Sequence, residues 1–162
     1  QFRRDMDINY FGSLHVAKAV LPQMKLVGQG QLVFISSAAG LIGLFGYSAY
    51  APTKFAVRGL AEALRMELKR DNIKVSLVYP ADTDTPQYQA EISIRPKETT
   101  AIAETAGIWS AAKMADVIVR SVANEKFLIA PGFQIGALAR FHSLILRPLN
   151  IWFDFLIKLK CK

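Results

Sequence analysis

Tyr50 and Lys54 stand four residues apart in the run Tyr50-Ala51-Pro52-Thr53-Lys54. On a helix this spacing puts both side chains on one face, one turn apart. A free phenol titrates near 10 and is a poor proton donor or acceptor at neutral pH. A neighbouring ammonium favours the phenolate and lowers that value. A tyrosine tuned in this way can give a proton to a carbonyl oxygen or take one from an alcohol. The same pair on an ordinary surface helix would be a partly buried ring beside a solvated amine. Tyr50 is the only tyrosine of the five with lysine at the fourth position after it.

Two more side chains extend the set. Ser37 lies thirteen residues before Tyr50, just after the apolar run Leu32-Val33-Phe34-Ile35. The ends of parallel strands are where ligands collect in open α/β sheets. A hydroxyl there can hydrogen-bond the carbonyl oxygen that Tyr50 would protonate. Asn9, forty-one residues before Tyr50, falls on the first predicted helix, where its amide could hold a water that reaches Lys54.

These residues need elements to position them. Apolar residues at helical spacing predict a helix over Phe2–Met24, ended by Gly28 and Gly30. Gln31–Ser36 reads as a strand buried on both faces. Ala38–Gly46, with its glycines, reads as a loop, and Ser48–Lys69 as a long helix with Pro52 in its first turn. Lys74–Tyr79 is a second buried strand, stopped by Pro80. Asp82–Gly107 is polar, holds Pro86 and Pro96, and reads as a long irregular segment. Ser110 is the expected cap of a helix over Ala111–Asn124, and Phe127–Ala130 is a third short strand. The alternation of helices and strands predicts an α/β fold built on a parallel sheet.

Composition bounds the rest. The 162 residues are 52% hydrophobic and carry 20 basic against 13 acidic side chains, for a net charge of +7. This excludes disorder and permits anionic partners. The basic residues are scattered, and no zinc spacing or RNA-binding motif occurs, so no nucleic-acid partner is expected. Cys161 is the only cysteine, so there is no disulfide framework, and His15 and His142 lack partners at metal spacing.

Three runs give the chain a family likeness: Asn9-Tyr10-Phe11-Gly12, Phe34-Ile35-Ser36-Ser37-Ala38-Ala39-Gly40 and Tyr50-Ala51-Pro52-Thr53-Lys54-Phe55-Ala56. The chain resembles the C-terminal part of a short-chain dehydrogenase/reductase over at least Phe2–Gly132. That resemblance implies the C-terminal half of a doubly wound, Rossmann-like parallel sheet, with Asn9, Ser37, Tyr50 and Lys54 as a catalytic tetrad. The family spacing selects Ser37 over Ser36. The run Tyr79-Pro80-Ala81-Asp82-Thr83-Asp84-Thr85-Pro86 is similar to the family's Pro-Gly loop. The likeness implies cofactor contacts at Tyr50, Lys54, Pro80, Ala81, Thr83 and Thr85. Ala81 replaces the usual glycine there, which would matter if the loop needed a positive φ.

The likeness narrows further on Leu44-Phe45-Gly46, on Phe55–Lys69, on the Asp82–Pro86 loop, and on Pro96-Lys97-Glu98-Thr99 followed by Glu104-Thr105. Those runs are similar to family members that reduce the ketone of 3-ketosphinganine, a long-chain sphingoid base, with NADPH. Such members act in sphingolipid synthesis, in eukaryotes at the cytosolic face of the endoplasmic reticulum; elsewhere the expected place is the cytoplasm or an inner-membrane surface. Reductases of steroid, retinoid or acyl ketones share several of the runs, and a non-catalytic binding protein of the same family is the other alternative. The resemblance also implies about a hundred preceding residues bearing the phosphate-binding glycines and the NAD/NADP-selecting residue. On that reading the stretch alone is inactive and its first strand has a bare edge. A homo-oligomer contact would use the first helix and Ser48–Lys69.

Residues 133–162 are expected to form an amphipathic helical tail, separate from a 1–132 reductase unit. Arg140, Ser143, Arg147, Asn150, Asp154 and Lys158 make one polar stripe. Pro148 is expected to divide the tail into two helices. A wide apolar face suits a membrane interface, with Lys158, Lys160 and Lys162 reaching head groups. A lid over a hydrophobic channel and a dimer contact suit it equally. Lys158 and Lys160 also resemble a dilysine retrieval signal. No run reaches the length of a spanning helix.

Overall fold

The computed structural model describes residues 1–160, so the expectations placed on Cys161, Lys162 and the Lys160 side chain fall outside the described residues. Helix α1 (Phe2–Met6) continues through a π-helical turn (Asp7–Phe11) into α2 (Gly12–Val27). Strand β1 (Gly30–Ile35) and a 3-10 turn (Ala38–Gly40) follow, then α3 (Tyr50–Glu67) and β2 (Ile73–Val78). After these come β3 (Thr83–Asp84), α4 (Pro86–Ile92), α5 (Lys97–Ala103), β4 (Trp109–Ser110), α6 (Ala111–Ala123), β5 (Leu128–Ile129) and α7 (Phe133–Lys160).

The main sheet is parallel, in the order β1-β2-β5. Gly30 to Ile35 pair in register with Ile73 to Val78, and Leu77 and Val78 pair with Leu128 and Ile129. In the central strand β2 only Lys74 is exposed. Its one buried hydroxyl, Ser76, donates to the Lys126 carbonyl at 2.8 Å, which removes the cost of burying it. The expectation of a strand buried on both faces holds for β2 but not for β1. Leu32 and Phe34 of β1 are buried, whereas Val33 and Ile35 are 39% and 47% exposed. Successive side chains alternate faces, and α3 packs on only one of them. Among the described residues β1 has a partner strand along one edge only.

Helix α3 lies on this sheet through Val57 and Ala61, both wholly buried. Ala61 keeps the backbones close, and each fully buried Val or Leu contributes about 1.5–3 kcal/mol. Sequence and structure also agree at α6, where Ser110 Oγ accepts a hydrogen bond from the Lys113 N–H.

Two expectations are corrected. The segment 82–107 is not irregular: it holds β3, α4 and α5. Pro86 and Pro96 start helices here, because a proline costs nothing at an N-terminus, where the N–H has no intrahelical partner. Thr85 caps α4 by accepting from the Tyr88 N–H at 3.2 Å. The second correction concerns α7, which does not break at Pro148. The helical path is interrupted at Phe141 (φ −118, ψ 17) and Pro148 sits inside the helix. The bend lies between two buried pairs, Ile135 with Leu138 and Phe153 with Leu156, which all join the same core. Packing of α7 across α5 thus overrides the local proline signal.

The loop 41–47 is fixed against α5. Thr99 Oγ1 donates to the Phe45 carbonyl at 2.5 Å, and Gly46 (φ +76) lies so close to Pro96 that a Cβ would stand 2.6 Å from its Cγ. In the full-length protein Gly46→Ala is expected to destabilise by about 1–2 kcal/mol from the left-handed backbone alone, with more from the contact. Gly59→Ala, at an exposed position inside α3 with open space around it, should instead stabilise by about 0.5–1 kcal/mol. Urea denaturation of the pair checks both signs.

Candidate active site

The site grows from the C-terminal ends of β1 and β2. The Ser36 N–H donates to the Val78 carbonyl at 2.8 Å and the Ala38 N–H to the Pro80 carbonyl at 3.3 Å, so the two strand exits run side by side. Helix α3 is locked to them. Ser36 Oγ donates to the Lys54 carbonyl at 3.0 Å. At Gly40 a Cβ would stand 2.4 Å from Ser36 Oγ and 3.0 Å from the Lys54 oxygen. Only a residue without a side chain fits between the turn and the helix.

This junction brings Ser37, Tyr50, Lys54, Pro80, Ala81, Thr83 and Thr85 to one cavity of about 640 Å3. Seven of the eight residues chosen from sequence therefore share a site. Asn9, the eighth, lies outside the cavity lining. It sits in the π-helical turn, a distortion common at functional sites. Its Nδ2 donates to Thr53 Oγ1 at 3.1 Å, and Thr53 Oγ1 donates to the Tyr50 carbonyl at 2.7 Å. Asn9 is thereby tied to the Tyr50–Lys54 turn through Thr53.

The two serines have different roles. Ser36 is 3% exposed and spends its hydroxyl on α3. Ser37 begins the 3-10 turn, accepts from the Ala39 N–H at 3.2 Å, and stands close enough to Tyr50 to lower its pKa. Burial acts more strongly in the opposite direction and pushes the Tyr50 phenol above its ordinary 10.0, assisted by the Glu91 and Asp82 charges. Lys54 Nζ lies 5.4 Å from the Tyr50 ring centroid and donates to the Ile35 carbonyl at 3.2 Å. Burial pushes its own pKa down. The expected dominance of the lysine over the phenol is thus corrected: in this arrangement desolvation dominates and Tyr50 holds its proton. Burial therefore keeps Tyr50 in the protonated form that a donor needs, while making it a weaker acid than a free phenol.

The loop after β2 needs no glycine at Ala81. Among the described residues, positive φ outside glycine occurs only at Asn72 and Glu125. Thr83 Oγ1 donates to the Ala81 carbonyl at 2.9 Å and Thr85 Oγ1 to the Thr83 carbonyl at 3.3 Å, so the loop is braced by its own threonines. Pairing of Thr83 with Trp109 sets it beside the start of α6.

Sequence reasoning missed one part of the cavity wall. Arg95, with a side chain 5% exposed, bonds both Asp82 and Glu91, and the Tyr47 hydroxyl donates to Glu91. Burial and the Glu91 bond push the Tyr47 phenol up. The one sequence signal was the four-residue spacing of Glu91 and Arg95. Apolar side chains of α5 and α7, among them Ile102, Leu138, Ile145, Leu149 and Phe153, make much of the remaining wall. Groups of His, Cys, Asp or Glu able to hold a metal ion are absent among the described residues.

The family described as short chain dehydrogenase matches residues 1–95. A 3-dehydrosphinganine reductase of Danio rerio is 44% identical over 140 residues, covering 85% of this chain and 42% of that protein. A 3-ketodihydrosphingosine reductase of Dictyostelium discoideum is 49% identical over 131 residues, covering 80% of this chain and 39% of that protein. The chain therefore spans less than half the length of these curated relatives. Among solved structures, a short chain dehydrogenase from Burkholderia cenocepacia in complex with NADP superposes with a TM-score of 0.78 at 19% identity. It covers 94% of this chain and 59% of that one, and shows the shared fold.

The raised phenol has a measurable consequence. Difference titration of the ligand-free full-length protein against Tyr50→Phe should place the Tyr50 phenol above 10.0. A value at or below 10.0 would mean that the groups lowering it, Ser37 among them, outweigh burial. Tyr79, which burial pushes up to about 12, adds a stability effect. A native state that holds a proton the unfolded chain has lost is destabilised as pH rises. The Tyr79 contribution is complete below pH about 10 and should fade as pH rises towards about 12. Denaturation midpoints across that range, with Tyr79→Phe for comparison, check it.

Proposed function

Because the chain belongs to the short chain dehydrogenase family, we propose that the whole protein is an NADPH-dependent reductase of a long-chain sphingoid ketone, 3-ketosphinganine. The observation that carries this reading is the meeting of Tyr50, Ser37 and Lys54 in one cavity, beside a wall of apolar side chains from α5 and α7. The Danio rerio 3-dehydrosphinganine reductase and the Dictyostelium discoideum 3-ketodihydrosphingosine reductase support the choice of substrate.

The residues present fit the nicotinamide end of such a cofactor. Lys54 has three donors, one of them engaged with the Ile35 carbonyl, which leaves others for ribose hydroxyls. Thr83 and Thr85 offer polar groups for the carboxamide, and Pro80 and Ala81 give the site an apolar side. Bound there, NADPH supplies the hydride that reduces the ketone carbon.

The rest of the reaction falls to the chain's own side chains. Ser37 Oγ orients the ketone oxygen by hydrogen bonding. Tyr50 gives its phenolic proton to that oxygen as negative charge develops on it, so the ketone becomes an alcohol. Lys54 then stabilises the phenolate left behind until solvent restores the proton. Asn9, through Thr53, keeps the first turn of α3 in register with Ser37.

We also place the protein at a membrane surface through the outer side of α7. No helix among the described residues is long and apolar enough to cross a membrane. The inward side of α7 lines the cavity, while Leu144, Ile151, Phe155 and Leu159 are exposed at steps of seven, four and four residues. Arg140, Arg147 and Lys158 are exposed on the same helix, against a single acidic Asp154. An apolar stripe with cations beside it suits an anionic lipid interface.

Two experiments test these readings. Following NADPH absorbance in the full-length protein should show oxidation with 3-ketosphinganine and little with a steroid ketone. NADH should serve less well, and Tyr50→Phe should lower turnover by about 100- to 10,000-fold while sparing NADPH binding. Near-normal turnover in that variant would remove Tyr50 from its role, and oxidation with another ketone alone would replace the substrate. Flotation with vesicles containing phosphatidylserine should recover the protein, and Leu144→Glu with Phe155→Glu should release most of it. Equal recovery of the double variant would refute the membrane assignment.

A further inference from the structure

The ion-pair cluster in the cavity wall has an unbalanced charge. Two carboxylates, Asp82 and Glu91, face one guanidinium, that of Arg95. Both oxygens of Asp82 are taken: Arg95 Nη1 donates to Oδ2 at 2.5 Å and Nη2 to Oδ1 at 3.2 Å. Glu91 is engaged differently. Arg95 Nε and Nη2 donate to it at 3.1 and 2.6 Å, the Tyr47 hydroxyl donates as well, and all three bonds fall on Oε1. Among the described residues Oε2 accepts none.

The cluster is also close to the chemistry. Tyr47 packs edge-on against Tyr50 with ring centroids 5.7 Å apart, and Tyr47, Tyr50, Glu91 and Arg95 all line the same cavity. A carboxylate with one oxygen fixed by three donors is held in position, so its other oxygen stays available at little entropic cost. Its natural partner is a cation that brings its own donors. In 3-ketosphinganine the carbon next to the ketone carries an ammonium. A ketone held by Ser37 and Tyr50 would carry that group towards the neighbouring wall.

We propose that Glu91 is a specificity-determining residue whose Oε2 accepts a hydrogen bond from the substrate ammonium, with Arg95 and Tyr47 as the positioning residues that hold the carboxylate. The inference rests on the reductase reading above and names the part of the site that separates an amino ketone from a plain one. Asp82, with both oxygens in the Arg95 fork, serves to hold Arg95. The cluster carries one net negative charge, two carboxylates against one guanidinium, which the substrate cation would balance.

The test uses the full-length enzyme with NADPH and two ketones of equal chain length, 3-ketosphinganine and its analogue with hydrogen in place of the amino group. Glu91→Gln keeps the size of the side chain and an oxygen for Arg95 and Tyr47, but removes the charge. A hydrogen bond to a charged partner is worth about a 10- to 100-fold effect. The kcat/KM preference for the amino ketone should therefore fall about 10- to 100-fold in Glu91→Gln, mostly through KM. A merely structural role for Glu91 would lower both substrates by one factor and overturn the proposal, as would an unchanged preference. A second measurement needs no variant: sphinganine should inhibit the wild-type enzyme at least about tenfold more tightly than its desamino counterpart, within the same range, and equal inhibition overturns the proposal. Wild-type enzyme that turns over neither ketone removes the reductase reading itself. Turnover of 3-ketosphinganine with an unaltered preference removes only the role of Glu91.

Discussion

The closeness of the Ala38–Gly40 turn to the first turn of α3 is the constraint on which the site depends. A methyl group at Gly40 would overlap Ser36 Oγ, and Ser36 Oγ is the donor that fixes the Lys54 carbonyl. The two neighbouring serines share the work because their side chains point opposite ways on an extended backbone. The inner one ties strand to helix, and the outer one faces the cavity beside Tyr50. Were the turn to move outward, Ser37 and Tyr50 would separate, although neither residue had changed.

The sheet extends this precision to the second loop. β2 is central and almost wholly buried, so its register with β1 is strongly fixed. The hydrogen bonds from Ser36 and Ala38 across to Val78 and Pro80 continue that register beyond the strands. The loop carrying Ala81, Thr83 and Thr85 is thereby set opposite Ser37 by backbone alone. Ser37, Tyr50 and the threonine loop belong to three separate segments, yet each is one hydrogen bond from a strand end or a helix start. Geometry of that kind can hold reacting groups without further reorganisation.

Much of this was legible in the sequence where the signal was local. The Tyr50–Lys54 spacing, the apolar runs at 32–35 and 75–79, and the Ser110 cap each depend on a few adjacent residues. What was missed depended on distance. The short helices α4 and α5 have seven residues each, too few turns to show a period, and their prolines read as breakers when they are starters. The bend at Phe141 is set by two buried pairs fifteen or more residues apart on one core, so no local rule could place it. Burial of Tyr50 was also invisible to spacing, and burial reverses the direction in which its pKa was expected to move. The Tyr47–Glu91–Arg95–Asp82 cluster gathers residues from the loop before α3, from α4, from the turn after α4 and from the exit of β2, and only folding brings them together.

The walls of the cavity then limit what it can accept. One part of its lining is charged and hydrogen-bonded, from Tyr47, Asp82, Glu91 and Arg95, and adjoins Tyr50; another is aliphatic and aromatic, from α5 and α7. A wholly apolar ketone would leave the free oxygen of Glu91, on a side chain that is 35% exposed, without a ligand partner. A small polar ketone would leave the α5 and α7 side chains without contact and forgo about 25 cal/mol for each Å2 of apolar surface they could cover. On the proposed reading, a molecule that is polar beside its ketone and apolar beyond it meets both walls at once. The bend of α7 at Phe141 serves the same end, since it lets one long helix keep buried residues on both of its arms against the core while its inner side closes the apolar wall.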